Sequence, residues 1–329
     1  MTGTQLLPRR GWRVDVHERL SEVIEHRRMD QGTGSRTAPV AVFDFDNTCI
    51  VNDIGELFSH YLIDEMLYRY DLDAFWDLIH PEDGRDELLR LTKTLSSAVP
   101  DPGSHPDFER YLGDMGALYG RRLGRAGKAD CYEWAVRLHV GMRPDEVRRL
   151  ADLAIRRELG RALYEEQRTS SCGRTTTISR GIRVIEEMHT LIRTLDRSGF
   201  DVWIVSASNI WTVEVFAAFF GVPTERVLGN RLVEDDDGVL TAETSRPVLF
   251  RQGKVEAIER YIGQRPVLAF GDAETDLEML AWASDLAVVI DKGCDVLMKE
   301  ARRSGWAVQP QHELHHLEDI LYSQNRGSK

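Results

Sequence analysis

The chain contains few cysteines, and their spacing does not match that of metal-binding or disulfide-rich proteins. There are four in 329 residues, and no two of them form a CxxC pair. This scatter excludes a zinc site of the CxxC type and a small disulfide framework. It suits a reducing compartment, and we expect a cytoplasmic protein.

Long hydrophobic runs are also missing. No stretch approaches the ~18 consecutive apolar residues of a membrane span. Residues 1–20, MTGTQLLPRRGWRVDVHERL, lack the apolar centre of a signal peptide. We therefore expect a soluble protein without a membrane partner.

The chain has no excess of positive charge. Its formal net charge is −12, which gives no general attraction to nucleic acid or to an anionic membrane. Nucleic acid is therefore not an expected partner. Hydrophobic residues make up 42% of the chain, enough for a substantial core in one large domain or two ordinary ones.

The residue pattern divides the chain into contrasting parts. Residues 11–28 predict an amphipathic helix, residues 31–39 have the composition of a linker, and the apolar run 40–43 predicts a buried strand. The segment after that strand, to about residue 178, is predicted to be mostly helical, with helices at 53–70, 86–96, 107–123, 131–140 and 144–166.

After Gly181 the pattern alternates between helices and strands. Predicted helices cover 182–198, 210–220, 254–262 and 276–282; predicted strands cover 201–205, 267–270 and 286–290, with a hairpin of 228–234 and 239–243. This alternation predicts an α/β sheet, in which ligands bind at the carboxyl ends of strands.

Two aspartates follow the first predicted strand, in the sequence VFDFDNT at positions 42–48. Asp44 and Asp46 are two residues apart, which places both side chains on one side of an extended backbone. Two adjacent negative charges require a cation or a shared proton. If this pair of aspartates is considered alone, a solvated turn remains an alternative explanation for it.

A second acidic site follows another short strand, in the sequence FGDAETD at positions 270–276. Taken alone, Asp272 and Asp276 are also typical of a helix start with acidic residues in its first turn. Two acidic sites at the ends of two strands of one sheet are expected to converge. Several carboxylate oxygens close together suit Mg²⁺.

Two more residues complete the set. Ser206 follows a third strand, and Lys254 opens a helix directly after Gly253. Separately, such residues are usually a capping serine and a surface lysine.

In this order, the four segments resemble the haloacid dehalogenase-like superfamily, over about residues 40–53 and 180–292. Within it the chain is most similar to the phosphoserine phosphatase branch, through VLGNRL at 227–232, DGVLT at 237–241 and GKVEAI at 253–258. The branch often has Asn where this chain has Thr275, so a phosphate contact at this position is expected to be weakened or replaced.

The resemblance implies an α/β fold: a Rossmann-like core with a parallel sheet flanked by helices, and a large helical cap inserted after the first core strand. The expected division is an N-terminal helix and linker at 1–38, a core of 39–53 and 179–329, and a cap at 54–178. The N-terminal helix could pack on the core or on the second subunit of a homodimer, and the sequence leaves both open.

The resemblance also implies a role for each matching residue. Asp44 would be the nucleophile and Asp46 the general acid and later base. Mg²⁺ would be held by Asp44, the backbone carbonyl of Asp46 and Asp272, with Asp276 in support. The phosphoryl group would contact Ser206, Lys254, Asn47 and Thr48, and the rest of the substrate Asp53, Ala207 and Asn209.

The implied activity is that of a Mg²⁺-dependent phosphatase, which hydrolyses a small-molecule phosphomonoester through an aspartyl-phosphate. An acid at position 46 favours a phosphatase over a dehalogenase, because a halide leaves without protonation. A phosphotransferase or phosphomutase with the same nucleophile, and a non-catalytic binding module with the same fold, remain alternatives.

Two features bear on the substrate. Asp53 lies seven residues after Asp46, where phosphoserine phosphatases carry a glutamate facing the substrate ammonium; it could equally cap the next helix. The predicted cap is also rich in aromatic residues, most of which we expect to be packing residues. Two or three could instead form a cage for a quaternary ammonium. Phosphoserine, phosphocholine and phosphoethanolamine are therefore the substrate hypotheses.

Overall fold

The computed structural model describes residues 6–31, 37–97 and 101–317 of the chain. The chain divides into two compact units. The sheet unit consists of Met1–Asp53, Ile182–Gly229 and Pro247–Lys329, and the helical unit of Ile54–Gly181 and Asn230–Arg246. Residues 32–36 of the predicted linker lie outside the described residues.

The helices and strands are numbered in chain order. The helices are α1 (Val14–Gln31), α2 (Ile54–Asp64), α3 (Asp73–Trp76), α4 (Arg85–Ser97), α5 (Phe108–Gly116), α6 (Leu118–Ala126), α7 (Lys128–Arg137), α8 (Pro144–Leu159), α9 (Glu186–Arg197), α10 (Ile210–Ala217), α11 (Gln252–Tyr261), α12 (Leu277–Trp282) and α13 (Asp295–Ser304). The strands are β1 (Val40–Phe43), β2 (Ile50–Val51), β3 (Tyr164–Thr169), β4 (Thr175–Arg180), β5 (Arg183–Val184), β6 (Asp201–Asn209), β7 (Val227–Asn230), β8 (Leu232–Glu234), β9 (Leu240–Thr244), β10 (Leu268–Gly271), β11 (Leu286–Asp291) and β12 (Ala307–Pro310).

A six-stranded sheet forms the centre of the sheet unit, in the order β12-β11-β10-β1-β6-β7. Strand β1 pairs in parallel with β10 and with β6, and β11 pairs in parallel with β10 and with β12. All four residues of β1 and of β10 are buried, as expected for parallel strands that are covered on both faces. The predicted α/β fold is confirmed.

The register of this sheet aligns the strand ends that carry the acidic residues. Phe43, the last residue of β1, pairs with Phe270 of β10 and with Ile204 of β6. The rings of Phe43 and Phe270 stack with centroids 4.3 Å apart. Because parallel strands end at the same edge of a sheet, the residues that follow these positions meet there.

Three predicted helices of the helical unit are longer than the observed ones. The helix predicted at 53–70 ends at Asp64, and the one predicted at 107–123 is divided into α5 and α6 at Ala117. The helix predicted at 144–166 begins at Pro144 as expected but ends at Leu159. Its last predicted residues belong instead to β3, which pairs with β4 as an antiparallel hairpin.

Ion pairs hold this hairpin to α2. For that reason the hydrophobic periodicity of the sequence did not reveal its strands. Arg180 of β4 is 1% exposed, and its guanidinium donates to Glu166 of β3 at 2.7 Å and to Asp64 of α2 at 3.1 Å. Charged side chains that are paired in the interior leave no apolar alternation in the sequence.

The unit boundaries differ from the predicted domains at three places. The predicted core included residues 179–181 and 230–246, which belong to the helical unit. Two hydrogen bonds connect residues 230–246 to that unit: Gly141 donates its backbone N–H to the carbonyl of Leu240 at 2.8 Å, and Arg137 of α7 donates to the carbonyl of Ala242 at 2.8 Å. The N-terminal helix, which was predicted as a separate segment, belongs to the sheet unit.

Helix α1 packs against β11 and β12. Its Arg27 binds both carboxylate oxygens of Asp285 at 2.6 and 2.7 Å. The homodimer stays a prediction.

All four cysteines are free thiols, and among the described residues no helix is both long and apolar enough to cross a bilayer.

Candidate active site

The turn that follows β1 carries Asp44 and Asp46, which are 5% and 8% exposed. The backbone N–H of Asp44 donates to the carbonyl of Phe270 at 2.9 Å, which continues the pairing of β1 with β10 by one residue. Asn47 has a left-handed backbone, with φ of 57°, and the chain turns there. The two aspartates are thus fixed at the carboxyl edge of the sheet.

Three buried carboxylates meet at this edge. Asp44, Asp272 and Asp276 each offer an oxygen, and these oxygens lie within 4.8 Å of one another. The prediction that the two acidic sites converge is confirmed. Gly271 permits this approach, because a Cβ atom at that position would lie 2.6 Å from the Cβ atom of Asp276.

Lys254 joins two members of the cluster. Lys254 lies in the first turn of α11 and is fully buried. Its Nζ donates to Asp44 Oδ1 and to Asp276 Oδ1, each at 2.6 Å. A buried ammonium requires such charged acceptors. Lys254 is therefore part of the acidic cluster and not the surface residue that lysines usually are.

Burial and mutual repulsion make the carboxyl groups of the cluster costly to ionise. Burial raises the pKa of the Asp44 carboxyl from 3.8 to about 7; the charge of Asp276 adds to this and that of Lys254 opposes it. Burial, followed by the charges of Asp44 and Asp276, also raises the pKa of Asp272 well above 3.8. Burial alone would lower the pKa of Lys254, but the carboxylates of Asp276 and Asp44 outweigh it and raise that pKa. When all three carboxyl groups are ionised they outnumber the single ammonium of Lys254, and a divalent cation would offset the excess negative charge.

The other contacts of Asp276 and Asp272 fix their orientation. Asp276 Oδ2 accepts from the backbone N–H of Asp272 at 3.2 Å and from that of Ala273 at 3.1 Å. Thr48, predicted to contact the phosphoryl group, is fully buried, and its hydroxyl donates to Asp272 Oδ1 at 3.5 Å. In this structure Thr48 therefore supports the acidic cluster.

Two serines of β6 contact Asp46. Ser206 Oγ donates to Asp46 Oδ2 at 3.3 Å, and Ser208 Oγ donates to the same oxygen at 2.7 Å. Ser206 is fully buried, so the phosphoryl role predicted for it would require its hydroxyl to change partner. Sequence reasoning missed Ser208, although the two-residue repeat of a strand places it on the same side as Ser206.

Two further residues hold the turn at Asn47, and both were missed. Lys292 Nζ donates to Asn47 Oδ1, and Gln311 Nε2 donates to the backbone carbonyl of Asn47 at 2.6 Å. The charge of Lys292 also lowers the pKa of Asp272, against the larger effect of burial. The signal available for Lys292 was its position directly after the apolar strand β11. Gln311 directly follows β12, which was not predicted, so no such signal marked it.

The remaining predicted residues are placed as follows. Asn209 is buried and caps α10, where its Oδ1 accepts from the backbone N–H of Thr212 at 2.9 Å. Ala207 is buried in β6, and Asp53 is partly buried directly before α2. Thr275 donates to Asp276 Oδ1 at 3.4 Å.

Most of the aromatic residues considered for an ammonium cage pack the interior of the helical unit. The buried ones are Tyr68, Phe75, Trp76, Tyr111 and Trp134. The hydroxyls of Tyr70 and Tyr111 are 2.6 Å apart, and the guanidinium of Arg157 lies over the ring of Tyr61 at 4.5 Å. The burial of these five agrees with the expectation that most aromatic residues of the predicted cap are packing residues, and the cage stays a prediction.

A family model described as haloacid dehalogenase-like hydrolase matches residues 101–281. The match includes Ser206, Lys254, Asp272 and Asp276. Comparison with curated proteins finds no match.

Two solved structures share the fold, and a third is more distantly similar. A conserved protein of unknown function from Anaerococcus prevotii DSM 20548 is 24% identical, with a TM-score of 0.81, over 93% of this chain and 94% of that one. A protein of unknown function from Bordetella pertussis Tohama I is 15% identical, with a TM-score of 0.55, over 84% of this chain and 100% of that one. A substrate-bound phosphoserine phosphatase is 17% identical, with a TM-score of 0.44, over 84% and 95%.

Proposed function

We propose, from the premise that the chain belongs to the haloacid dehalogenase-like hydrolase family, that it is a Mg²⁺-dependent phosphatase acting on a small phosphomonoester. The observation that carries the proposal is the buried contact of Lys254 with Asp44, beside two further carboxylates at the carboxyl edge of the sheet. This arrangement supplies a nucleophile, a fixed positive charge and oxygen ligands for a cation in one place.

The residues present fit a hard divalent cation. Asp44, Asp272 and the backbone carbonyl of Asp46 would hold it, with Asp276 in support, and oxygen ligands are those that Mg²⁺ prefers. A divalent cation would offset the negative charge of Asp44 and Asp272 on ionisation, which burial disfavours. When bound, Mg²⁺ offsets the negative charge of the phosphoryl oxygens and of the attacking carboxylate.

The chain's own residues would carry the reaction. A carboxylate oxygen of Asp44 forms a bond to phosphorus while the bond from phosphorus to the leaving oxygen breaks, and Asp46 gives that oxygen a proton. Asp46 then takes a proton from water, which attacks phosphorus and breaks the acyl-phosphate bond. Inorganic phosphate leaves, and Asp44 returns as a carboxylate. Lys254 holds Asp44 in place and reduces its repulsion of the substrate.

For the substrate we propose an amine-bearing phosphomonoester, on the basis of Asp53 and the motif order shared with the phosphoserine phosphatase branch. Phosphoserine, phosphoethanolamine and phosphocholine all carry a cation that a carboxylate can pair with.

The helical unit, inserted after β1, would be the cap. We propose a cytoplasmic location.

Phosphate release from a panel of substrates tests this proposal. We expect kcat/KM for the three amine-bearing compounds to exceed that for sugar phosphates by about tenfold or more, the effect of ~1.4 kcal/mol. Equal or faster hydrolysis of sugar phosphates would reject the ammonium hypothesis. Formation of a new phosphomonoester from an added acceptor alcohol, without release of inorganic phosphate, would instead identify a phosphotransferase.

Metal binding should depend on pH in a defined direction. The pKa of Asp44 is raised from 3.8 to about 7 in the folded, metal-free protein, so the folded state binds this proton more tightly than the unfolded chain does. The resulting stabilisation is fully present below the pKa of the unfolded chain and is lost as the pH rises through about 7. Mg²⁺ must displace that proton at low pH. We expect Mg²⁺ to raise the thermal midpoint more at about pH 8 than at about pH 5.

The expected stabilisation is ~2.7 kcal/mol at a free Mg²⁺ concentration of about 100 times Kd. Asp272→Asn is the matched variant and should lose most of this Mg²⁺ effect at the higher pH. An equal rise at both pH values, or an unchanged rise in Asp272→Asn, would argue against the cluster as the Mg²⁺ site.

A further inference from the structure

Strand β6 presents two hydroxyls to the residue proposed as general acid. Ser206 and Ser208 are two residues apart, so their side chains lie on the same side of the strand. Both donate to Asp46 Oδ2, at 3.3 and 2.7 Å. The backbone N–H of Ser208 also donates to Ser206 Oγ at 3.0 Å, which orients the first hydroxyl towards the same acceptor.

The shorter of the two contacts belongs to Ser208. Its length of 2.7 Å is that of a well-formed hydrogen bond from a hydroxyl to a carboxylate, while 3.3 Å is beyond the usual range. Asp46 is 8% exposed, so solvent has little access with which to replace a lost donor. Ser208 is therefore the stronger restraint on the Asp46 side chain.

The restraint matters for proton transfer. A general acid must lie within hydrogen-bond reach of the leaving oxygen, and a small displacement of a catalytic group greatly reduces its contribution. An aspartate that is held at Oδ2 cannot rotate about its side-chain bonds without breaking that hydrogen bond. Its other oxygen is held in a defined direction as a consequence.

We infer that Ser208 is a positioning residue, which holds the carboxyl group of Asp46 in the orientation for proton transfer to the leaving oxygen. The inference rests on the proposed function for its catalytic consequence, but the restraint itself is a property of the folded protein. Ser208 acts through Asp46 and need not touch the substrate.

The first test needs no catalysis. Crystal structures of the wild type and of Ser208→Ala, both without substrate, should show Asp46 in one conformer in the wild type and in two or more in the variant. A single, unchanged conformer of Asp46 in Ser208→Ala would overturn the inference.

The second test uses the leaving group, because a stable phenolate leaves without a proton and an alkoxide does not. The quantity kcat/KM covers the steps up to loss of the leaving group. In Ser208→Ala we expect kcat/KM for an alkyl phosphate to fall about 10- to 100-fold, within the range of general acid catalysis. For p-nitrophenyl phosphate it should change less than about threefold, because no protonation is required.

Two variants serve as controls. Ser208→Thr keeps the hydroxyl and should restore most of the alkyl phosphate activity. Ser284→Ala removes a similar serine-to-aspartate bond elsewhere in the sheet unit, of 2.8 Å to Asp285, and should leave both activities unchanged.

An equal loss on both substrates in Ser208→Ala would indicate general damage to the site and overturn the inference. So would failure of Ser208→Thr to rescue. A wild-type protein that releases phosphate from neither substrate would instead overturn the proposed function, and with it the catalytic role of Ser208. The conformer comparison separates these two failures.

Discussion

Replacing Asp44 with asparagine should lower the phosphatase rate by about 10⁴-fold or more, as loss of a covalent nucleophile does in other hydrolases. An amide oxygen is too weak a nucleophile to attack a phosphate ester. Lys254 keeps a charged partner in this variant, because its second contact, to Asp276, remains at 2.6 Å. The fold should therefore be retained, as judged by circular dichroism and by the thermal midpoint.

Asp196→Asn is the matched control for this experiment. Asp196 lies exposed on α9, outside the acidic cluster, and the same change there should leave activity unchanged. Near-wild-type hydrolysis by Asp44→Asn would remove Asp44 as the nucleophile. Loss of activity together with loss of the fold would show that the buried cluster is needed for folding first.

Replacing Lys254 with methionine should reduce both stability and activity. The change leaves Asp44 and Asp276 buried without their shared ammonium, and breaking a buried ion pair in this way costs about 3–5 kcal/mol. We expect kcat to fall by about 10²–10³-fold, the usual loss when one charge-stabilising group is removed. Chemical denaturation and steady-state kinetics measure the two effects.

The loss of stability in Lys254→Met should shrink as the pH falls. Without the ammonium, the pKa of Asp44 rises further above its ordinary value, so the folded variant binds protons more tightly than the unfolded chain does. Lys299→Met, at an exposed lysine of α13, should change the unfolding free energy by less than about 0.5 kcal/mol. Unchanged stability and kcat in Lys254→Met would contradict the role given to the cluster.

The parts of the fold that the sequence predicted best are those with a strong apolar pattern. Strand β1 is an apolar run that ends directly before Asp44, and α8 begins with Pro144 followed by acidic residues, which is a favourable helix start. The convergence of Asp44 with Asp272 followed from the rule that parallel strands end at one edge of a sheet. The first two predictions used information contained in a few adjacent residues, and the third combined two such local motifs with a general rule of sheet topology.

The predictions that failed depended on contacts between distant residues. The hairpin β3–β4 is built from polar residues and is connected to α2 by Arg180, so no local alternation marked it. Residues 230–246 join the helical unit through backbone hydrogen bonds such as that from Leu240 to the carbonyl of Met142. Helix α13 and strand β12 lay beyond the last predicted strand and were missed.

In the candidate site, too, local motifs could be predicted and contacts between distant residues could not. Motif order brought Asp44, Lys254 and Asp272 into one predicted site, and they lie together in the structure because each stands at the end of a strand or the start of a helix. Their supporting contacts, such as Ser208 to Asp46 and Gln311 to Asn47, join segments that are far apart in the chain. Only the folded structure shows which hydroxyl or amide reaches which acceptor.

Detection of the phospho-enzyme tests the central claim most directly. Wild-type protein mixed with Mg²⁺ and a substrate that it hydrolyses is quenched in acid during turnover, digested, and mapped by mass spectrometry. We predict one phosphoryl group on the peptide that contains Asp44, removable by hydroxylamine as expected of an acyl phosphate. Turnover with no phosphorylated peptide, or with the phosphoryl group on another residue, would contradict the account.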